Sequence, residues 1–210
     1  MTSKLQLFNL ALSHLGQERL ANLNENTHAR LELDAVYDDA LAAILEKANW
    51  KCALRASELT YDDSITPTFG KPYAIAQPSD FVRLANFSVD PNFQPEGEIN
   101  DYEDEGGYWY CNHQVVYVRY VSNGVTFGLD IGNWPQRLAD LGGLELAQRS
   151  AIPISKDRGD RNDMLALSEK QLRVAKTLDA IGEPVKRKPA GRLVTSRIGY
   201  RGRRIEPLRT

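Results

Sequence analysis

Apolar residues recur at helical spacing at both ends of this chain, while roughly fifty residues in between are broken up by proline and glycine. That change of period limits the fold more than any other feature, because a 3.6-residue repeat and a two-residue repeat bury different faces. Leu5, Phe8, Leu12 and Leu15 fall at i, i+3, i+7 and i+10, which predicts a helix over Leu5 to about Leu20. Gly16 and the polar stretch Asn22-Leu-Asn-Glu-Asn26 bring it to a close in a loop. Thr27 is placed to cap a second helix over Ala29–Ala48, whose apolar positions include Leu33, Val36, Tyr37, Ala40, Leu41, Ile44 and Leu45. Glu32, Asp34, Asp38, Asp39 and Glu46 lie largely off that stripe. Two helices joined this closely are expected to pack antiparallel.

After Trp50, Pro67, Gly70, Pro72, Pro78, Pro91, Pro95 and Gly97 mark out short strands and turns. The run Tyr73 to Val89 reads as two extended segments around Pro78-Ser79-Asp80. Tyr108 to Val121 is rich in aromatic and β-branched residues on either side of Asn112-His113, which predicts a hairpin turning at that dipeptide. In its second arm Val116, Val118 and Tyr120 alternate with Tyr117, Arg119 and Val121. Helical spacing returns at Trp134, with Pro135 suited to a first turn and Leu138, Leu141, Leu144 and Ala147 following across a Gly142-Gly143 pair. A last helix is expected over Arg161–Ile181, stopped by Gly182 and Pro184.

The predicted fold is therefore α+β. N- and C-terminal helix pairs form a helical body that brackets a β-rich insertion, followed by an extended basic tail. The expected divisions are 1–50, 51–132, 133–185 and 186–210.

The net charge of −2 conceals how unevenly charge is spread. Nine of the 26 basic residues but one of the 28 acidic residues lie beyond Val185, so that segment carries +8 and the rest of the chain −10. The positives are Lys186, Arg187, Lys188, Arg192, Arg197, Arg201, Arg203, Arg204 and Arg209. Such a tail suits contact with phosphates, docking on an acidic partner protein, or simple solvation.

Motifs for chemistry are scarce. The sequence holds no phosphate-binding GxxxxGK[ST], no HExxH, no paired CxxC and no GxSxG elbow. His14, His28 and His113 are isolated, and Cys52 and Cys111 are far apart, so each reads as a packing or surface residue. Neither catalytic residues nor cofactor or metal ligands are expected. Two cysteines make no disulfide framework, which fits a reducing compartment. The N-terminus reads as a helix, not a signal peptide, and no run reaches the 18–20 apolar residues a membrane helix needs. Glu96, Glu98, Asp101, Glu103, Asp104 and Glu105 form the densest acidic cluster. It reads as a solvated hairpin tip, as the lining of a channel that repels DNA, or as a cation site whose spacing does not match a calcium loop.

The ordered set of features resembles the tail tubular protein A family of tailed bacteriophages, the head-to-tail adaptors beneath the portal. The opening helix reads Asn9-Leu-Ala11-Leu12-Ser-His-Leu15-Gly16. Tyr37-Asp38-Asp39-Ala-Leu41 then leads to Asn49-Trp50-Lys51-Cys52-Ala53, with Arg55 and Leu59 beyond. Tyr73 to Pro78-Ser79-Asp80-Phe81-Val-Arg83-Leu, Val116-Tyr117-Val118-Arg119-Tyr120 and Trp134-Pro135-x-x-Leu138 follow in order. Leu146 to Ile154 and the last helix complete a likeness that covers the chain to about Pro184. Cys52 departs from it, standing where an aromatic residue often follows the tryptophan, and the long basic tail has no counterpart that carries over.

The resemblance implies a structural protein, not an enzyme, forming a twelvefold ring that joins the portal to a downstream tail or nozzle protein. Such a ring belongs to the virion's head–tail junction and is made in the host cytoplasm. DNA would pass through without specific binding, and no membrane is involved. In that setting the tail residues Lys186 to Arg204 become a portal-docking arm and the acidic cluster a channel lining. A nucleic-acid-binding protein using the tail is the alternative.

Overall fold

The computed structural model describes residues 2–67, 70–156 and 158–181; every tail residue named above lies outside them. Among the described residues the chain is α+β, with five α-helices and two three-stranded antiparallel sheets. No helix among them is long and apolar enough to cross a membrane.

Helix α1 spans Lys4–His14, shorter than its apolar pattern. Ser3 opens it with a capping box: its hydroxyl accepts from the Gln6 amide at 3.3 Å and Gln6 Oε1 accepts from the Ser3 amide at 3.0 Å. Gly16 closes it at φ +65°, where Gln17 N–H reaches the Leu12 carbonyl and Gly16 N–H reaches that of Ser13. That Schellman arrangement satisfies the last carbonyls, so the helix stops before Leu20. Leu20 stays buried all the same, because Asn9 holds it from both sides. Asn9 Oδ1 accepts the Leu20 amide at 2.8 Å and Asn9 Nδ2 donates to the Leu20 carbonyl at 3.0 Å.

The helix expected over Ala29–Ala48 is two helices, α2 (His28–Ala35) and α3 (Tyr37–Lys47). Thr27 caps α2 by accepting from the Arg30 amide. Val36 leaves the helical basin at φ −101°, ψ 1°, and the kink sets Tyr37 edge-on to Phe8 at 5.7 Å and beneath the Lys4 ammonium at 4.3 Å. An aromatic pair and a cation–π contact together are worth about 1–2 kcal/mol, enough to offset a disturbed helical hydrogen bond. The N-terminal pair is thus a trio.

Sheet one has the strand order β1 (Leu54–Thr60), β6 (Val115–Ser122), β3 (Phe81–Ser88). Sheet two has the order β2 (Tyr73–Ala76), β5 (Tyr108–Cys111), β4 (Glu103–Glu105). This corrects the expected hairpin: β5 and β6 belong to different sheets, and Asn112-His113 carries the chain across. The real hairpin joins β4 to β5 at Gly106-Gly107, whose φ values of +58° and +84° suit a two-residue turn that a side chain would strain. The alternation in β6 is real. Val116, Val118 and Tyr120 enter an aromatic core between the sheets with Ile75, Phe87 and Trp109, while Val121 enters the helical core.

That helical core surrounds α4, which spans Gln136–Ser155 with Pro135 as its N-cap. Gly142 and Gly143 lie within the helix, and a Cβ on Gly143 would stand 2.7 Å from Leu10 Cβ, so glycine lets α1 approach closely. Lys156, at φ +60°, ends α4, and α5 (Arg158–Ile181) follows almost at once and packs back along it. Glu145 on α4 is only 3% exposed and accepts from Lys47 at 2.5 Å and from Arg149 at 3.1 Å. One buried carboxylate thereby ties the end of α3 to α4.

Candidate functional site

A polar network lies where the sheets meet the helical body. Asp80, in the turn between β2 and β3, accepts from Tyr120 Oη at 3.0 Å, Ser122 Oγ at 2.5 Å and Arg55 Nη1 at 2.8 Å. Its backbone carbonyl accepts from Asn123 N–H at 2.9 Å. Burial works against its charge, but the hydrogen bonds from Ser122, Arg55 and Tyr120 outweigh that and hold the carboxyl below the ordinary carboxylate range. Arg55 also sits over the Phe127 ring at 5.3 Å. The next loop packs without room for a side chain at Gly128, where a Cβ would lie 2.1 Å from the Ser122 carbonyl oxygen. Trp134 Nε1 donates to the Gly128 carbonyl at 2.9 Å, and Trp50 Nε1 to that of Ile44 at 2.7 Å. These groups clamp β1, β3, β6 and the lead into α4 to one another. Ser122 is fully buried, and its hydroxyl serves the clamp.

The six acidic positions do not converge on one point. Glu96 and Glu98 belong to the loop after β3, around a short turn at Pro95–Gly97. Asp101 pairs with Lys71 and accepts from Asn112. Asp104 accepts from Gln77 at 2.7 Å and from Trp109 Nε1 at 3.1 Å. Glu103, Asp104 and Glu105 form β4, exposed throughout, leading into the Gly106-Gly107 tip. Among the described residues no group of three or more His, Cys, Asp or Glu side chains could hold a metal ion.

The three histidines are exposed, and the two cysteines serve packing. Burial pushes the Cys52 thiol up to about 11, with Asp179 adding to the effect, and burial also raises Cys111, whose Sγ–H donates to the His113 carbonyl at 3.2 Å. An activated thiol is shifted the other way. Burial lowers His14, partly offset by Asp140. His28 Nε2 lies 3.2 Å from the Pro153 carbonyl, which links α2 to the end of α4.

Cavities are present among the described residues. One of about 320 Å³ is lined by Thr2, Gln6, Asn9, Leu10, Arg19 and Gln136. Another of about 170 Å³ lies between Trp50, Pro135, Leu138, Ala175 and Leu178.

No family model and no curated protein matches this chain.

What remains are surfaces. The buried side of α5 is made by Met164, Ser168, Leu172 and Ala175. Val174, Leu178 and Ile181 fall beside that side and remain 44%, 49% and 73% exposed. On α3, Asp38, Asp39, Ala42 and Glu46 face outward. The sequence reading singled out neither surface as a site. Their signal was present: the apolar positions of the last helix spread too widely around its circumference to lie on one buried stripe. No local pattern joins the clamp at Asp80, because Arg55, Asp80, Tyr120 and Trp134 are far apart in sequence.

Proposed function

We propose that this chain is the head-to-tail adaptor of a tailed bacteriophage, a ring-forming protein that joins the portal to the tail around the DNA channel. The observation that carries the reading is where the resembling residues sit. Asn9 fastens the loop after α1, Gly16 ends that helix, and Asp80 with Arg55 and Tyr120 clamps the sheets. Trp50 and Trp134 lock the junction to the helical body. Several of the resembling residues hold the framework together, while others, such as Asp38, Asp39 and Asn49, are exposed and free to meet neighbours. A rigid framework with outward-facing apolar and charged patches also suits a protein whose work is contact with neighbours. The acidic body tolerates passing DNA by repulsion, and the +8 segment beyond Val185 reaches for the portal.

Size-exclusion light scattering of the full chain, alone and mixed with its portal, tests the reading. Assembly on the portal, with or without self-association beforehand, is expected. A chain that remains monomeric in every mixture overturns it. Deleting residues 186–210 should weaken portal association, and unchanged association and salt response would remove the tail from the docking role. The charge split also favours a second reading, nucleic-acid binding through the tail. That reading requires affinity of the isolated chain for DNA that falls steeply with salt.

A further inference from the structure

We infer that the C-terminal half of α5 is a lateral docking face, and that its occupant is the outer face of α3 on a second copy of this chain. The inference rests on the ring reading above and names the surfaces that would build it.

Three features of α5 point to a partner. Val174, Leu178 and Ile181 follow one another at i, i+4 and i+7, forming a continuous exposed apolar stripe and not scattered surface residues. Leu178 also lines the groove with Trp50, Pro135 and Leu138 and with the charged Lys51, Arg137 and Asp179, so the stripe runs into a concave seat of apolar and charged side chains. Lys170 and Arg173 stand at the head of the stripe, both exposed. The face is apolar and positively charged.

The outer face of α3 is its complement. Asp39, Ala42 and Glu46 lie at i, i+3 and i+7 on the side opposite the buried Ala40, Leu41, Ile44 and Leu45. Asp38 flanks them, and Ala42 at the centre leaves room for a helix to approach closely. Arg83 borders the far end, where it donates to the Glu46 carbonyl at 3.1 Å. The exposed half of α5 from Lys170 to Ile181 is about 18 Å long and α3 about 17 Å, so the two faces match in length as well as in charge. They are different patches of one molecule, so in the ring each copy offers one to the copy before it and the other to the copy after, a heterologous contact. Such contacts propagate from copy to copy and close into a ring when the rotation allows.

Charge reversal in full-length protein tests this. One variant carries Lys170→Glu with Arg173→Glu, the other Asp39→Lys with Glu46→Lys. All four positions are exposed, so circular dichroism should find both variants folded. Each alone should lose self-association, or assembly on the portal, by at least tenfold in midpoint concentration, because like charges meet at every contact. An equimolar mixture should recover assembly, since each reversed face then meets its reversed partner and each native face a native one. If the wild type assembles and both variants assemble equally well alone, or the mixture fails to recover, the assignment of faces is wrong while the ring reading stands. A wild type that never assembles, alone or on the portal, overturns both.

Discussion

Helices α4 and α5 are neighbours of similar length, 20 and 24 residues, packed along each other, yet their surroundings differ sharply. Leu138, Leu141, Leu144, Leu146 and Ala147 bury side chains in several directions around α4, and even Glu145 is enclosed. α5 encloses one side and leaves Val174, Leu178 and Ile181 in solvent. A helix apolar all round is a core spine; a helix with apolar groups left over has surface that a single copy does not use. The fold puts its rigidity into α4 and its unspent apolar surface into α5.

The largest effect should come from the spine. Leu141→Ala removes a fully buried side chain from α4 and should cost about 2–5 kcal/mol in urea denaturation. Asp80→Asn should cost about 1–3 kcal/mol at neutral pH, since it weakens three hydrogen bonds at the point where the sheets meet the helical body. The wild-type carboxyl is held below its ordinary range, so the folded state binds fewer protons than the unfolded one. Its contribution is present above the ordinary carboxylate value and is lost as pH falls through the folded value. The gap between Asp80→Asn and wild type should therefore close in acid; a constant gap would assign the effect to packing alone.

Gly143→Ala is a narrower probe of α4. Alanine favours helix by about 1 kcal/mol, but the new Cβ would stand 2.7 Å from Leu10 Cβ, and the resulting displacement of α1 should leave a net loss of about 1–2 kcal/mol. A net gain would mean that α1 yields freely and that α4 is less tightly enclosed than described. The smallest effect belongs to α5. Leu178→Ala, at a half-exposed site, should change the stability of the single chain by less than about 1 kcal/mol. A loss as large as that of Leu141→Ala would erase the contrast between the two helices.

Much of this architecture is legible in sequence because its signals are local. Thr27 acts within a few residues, so the start of α2 follows from its chemistry, and Gly16 marks the close of α1, which ends at His14 and short of the expected Leu20. The alternation of Val116, Val118 and Tyr120 marked β6 as two-sided, and that set meets the aromatic core. What escaped was long-range. Asn112-His113 has turn chemistry, but strand pairing depends on partners far along the chain, and Ile75 and Trp109 drew β5 into the second sheet. The break at Val36 sets Tyr37 against Phe8 and Lys4, about thirty residues earlier. The clamp at Asp80 unites residues spread from Arg55 to Ser122, and no local pattern marks such a group. Of the candidate sites, the acidic cluster could be located from sequence but not arranged, since Asp101 and Asp104 are each tied to different neighbours. The tail residues Lys186 to Arg204 lie outside the described residues, so their role rests on charge.

The most direct measurement is electron cryomicroscopy of the full chain assembled with its portal. The expected image is a closed ring coaxial with the portal, in which α5 of each copy lies against α3 of the next and the channel is open along the axis. No ring density on the portal, in preparations where portal and chain are both folded and in excess, would contradict the account.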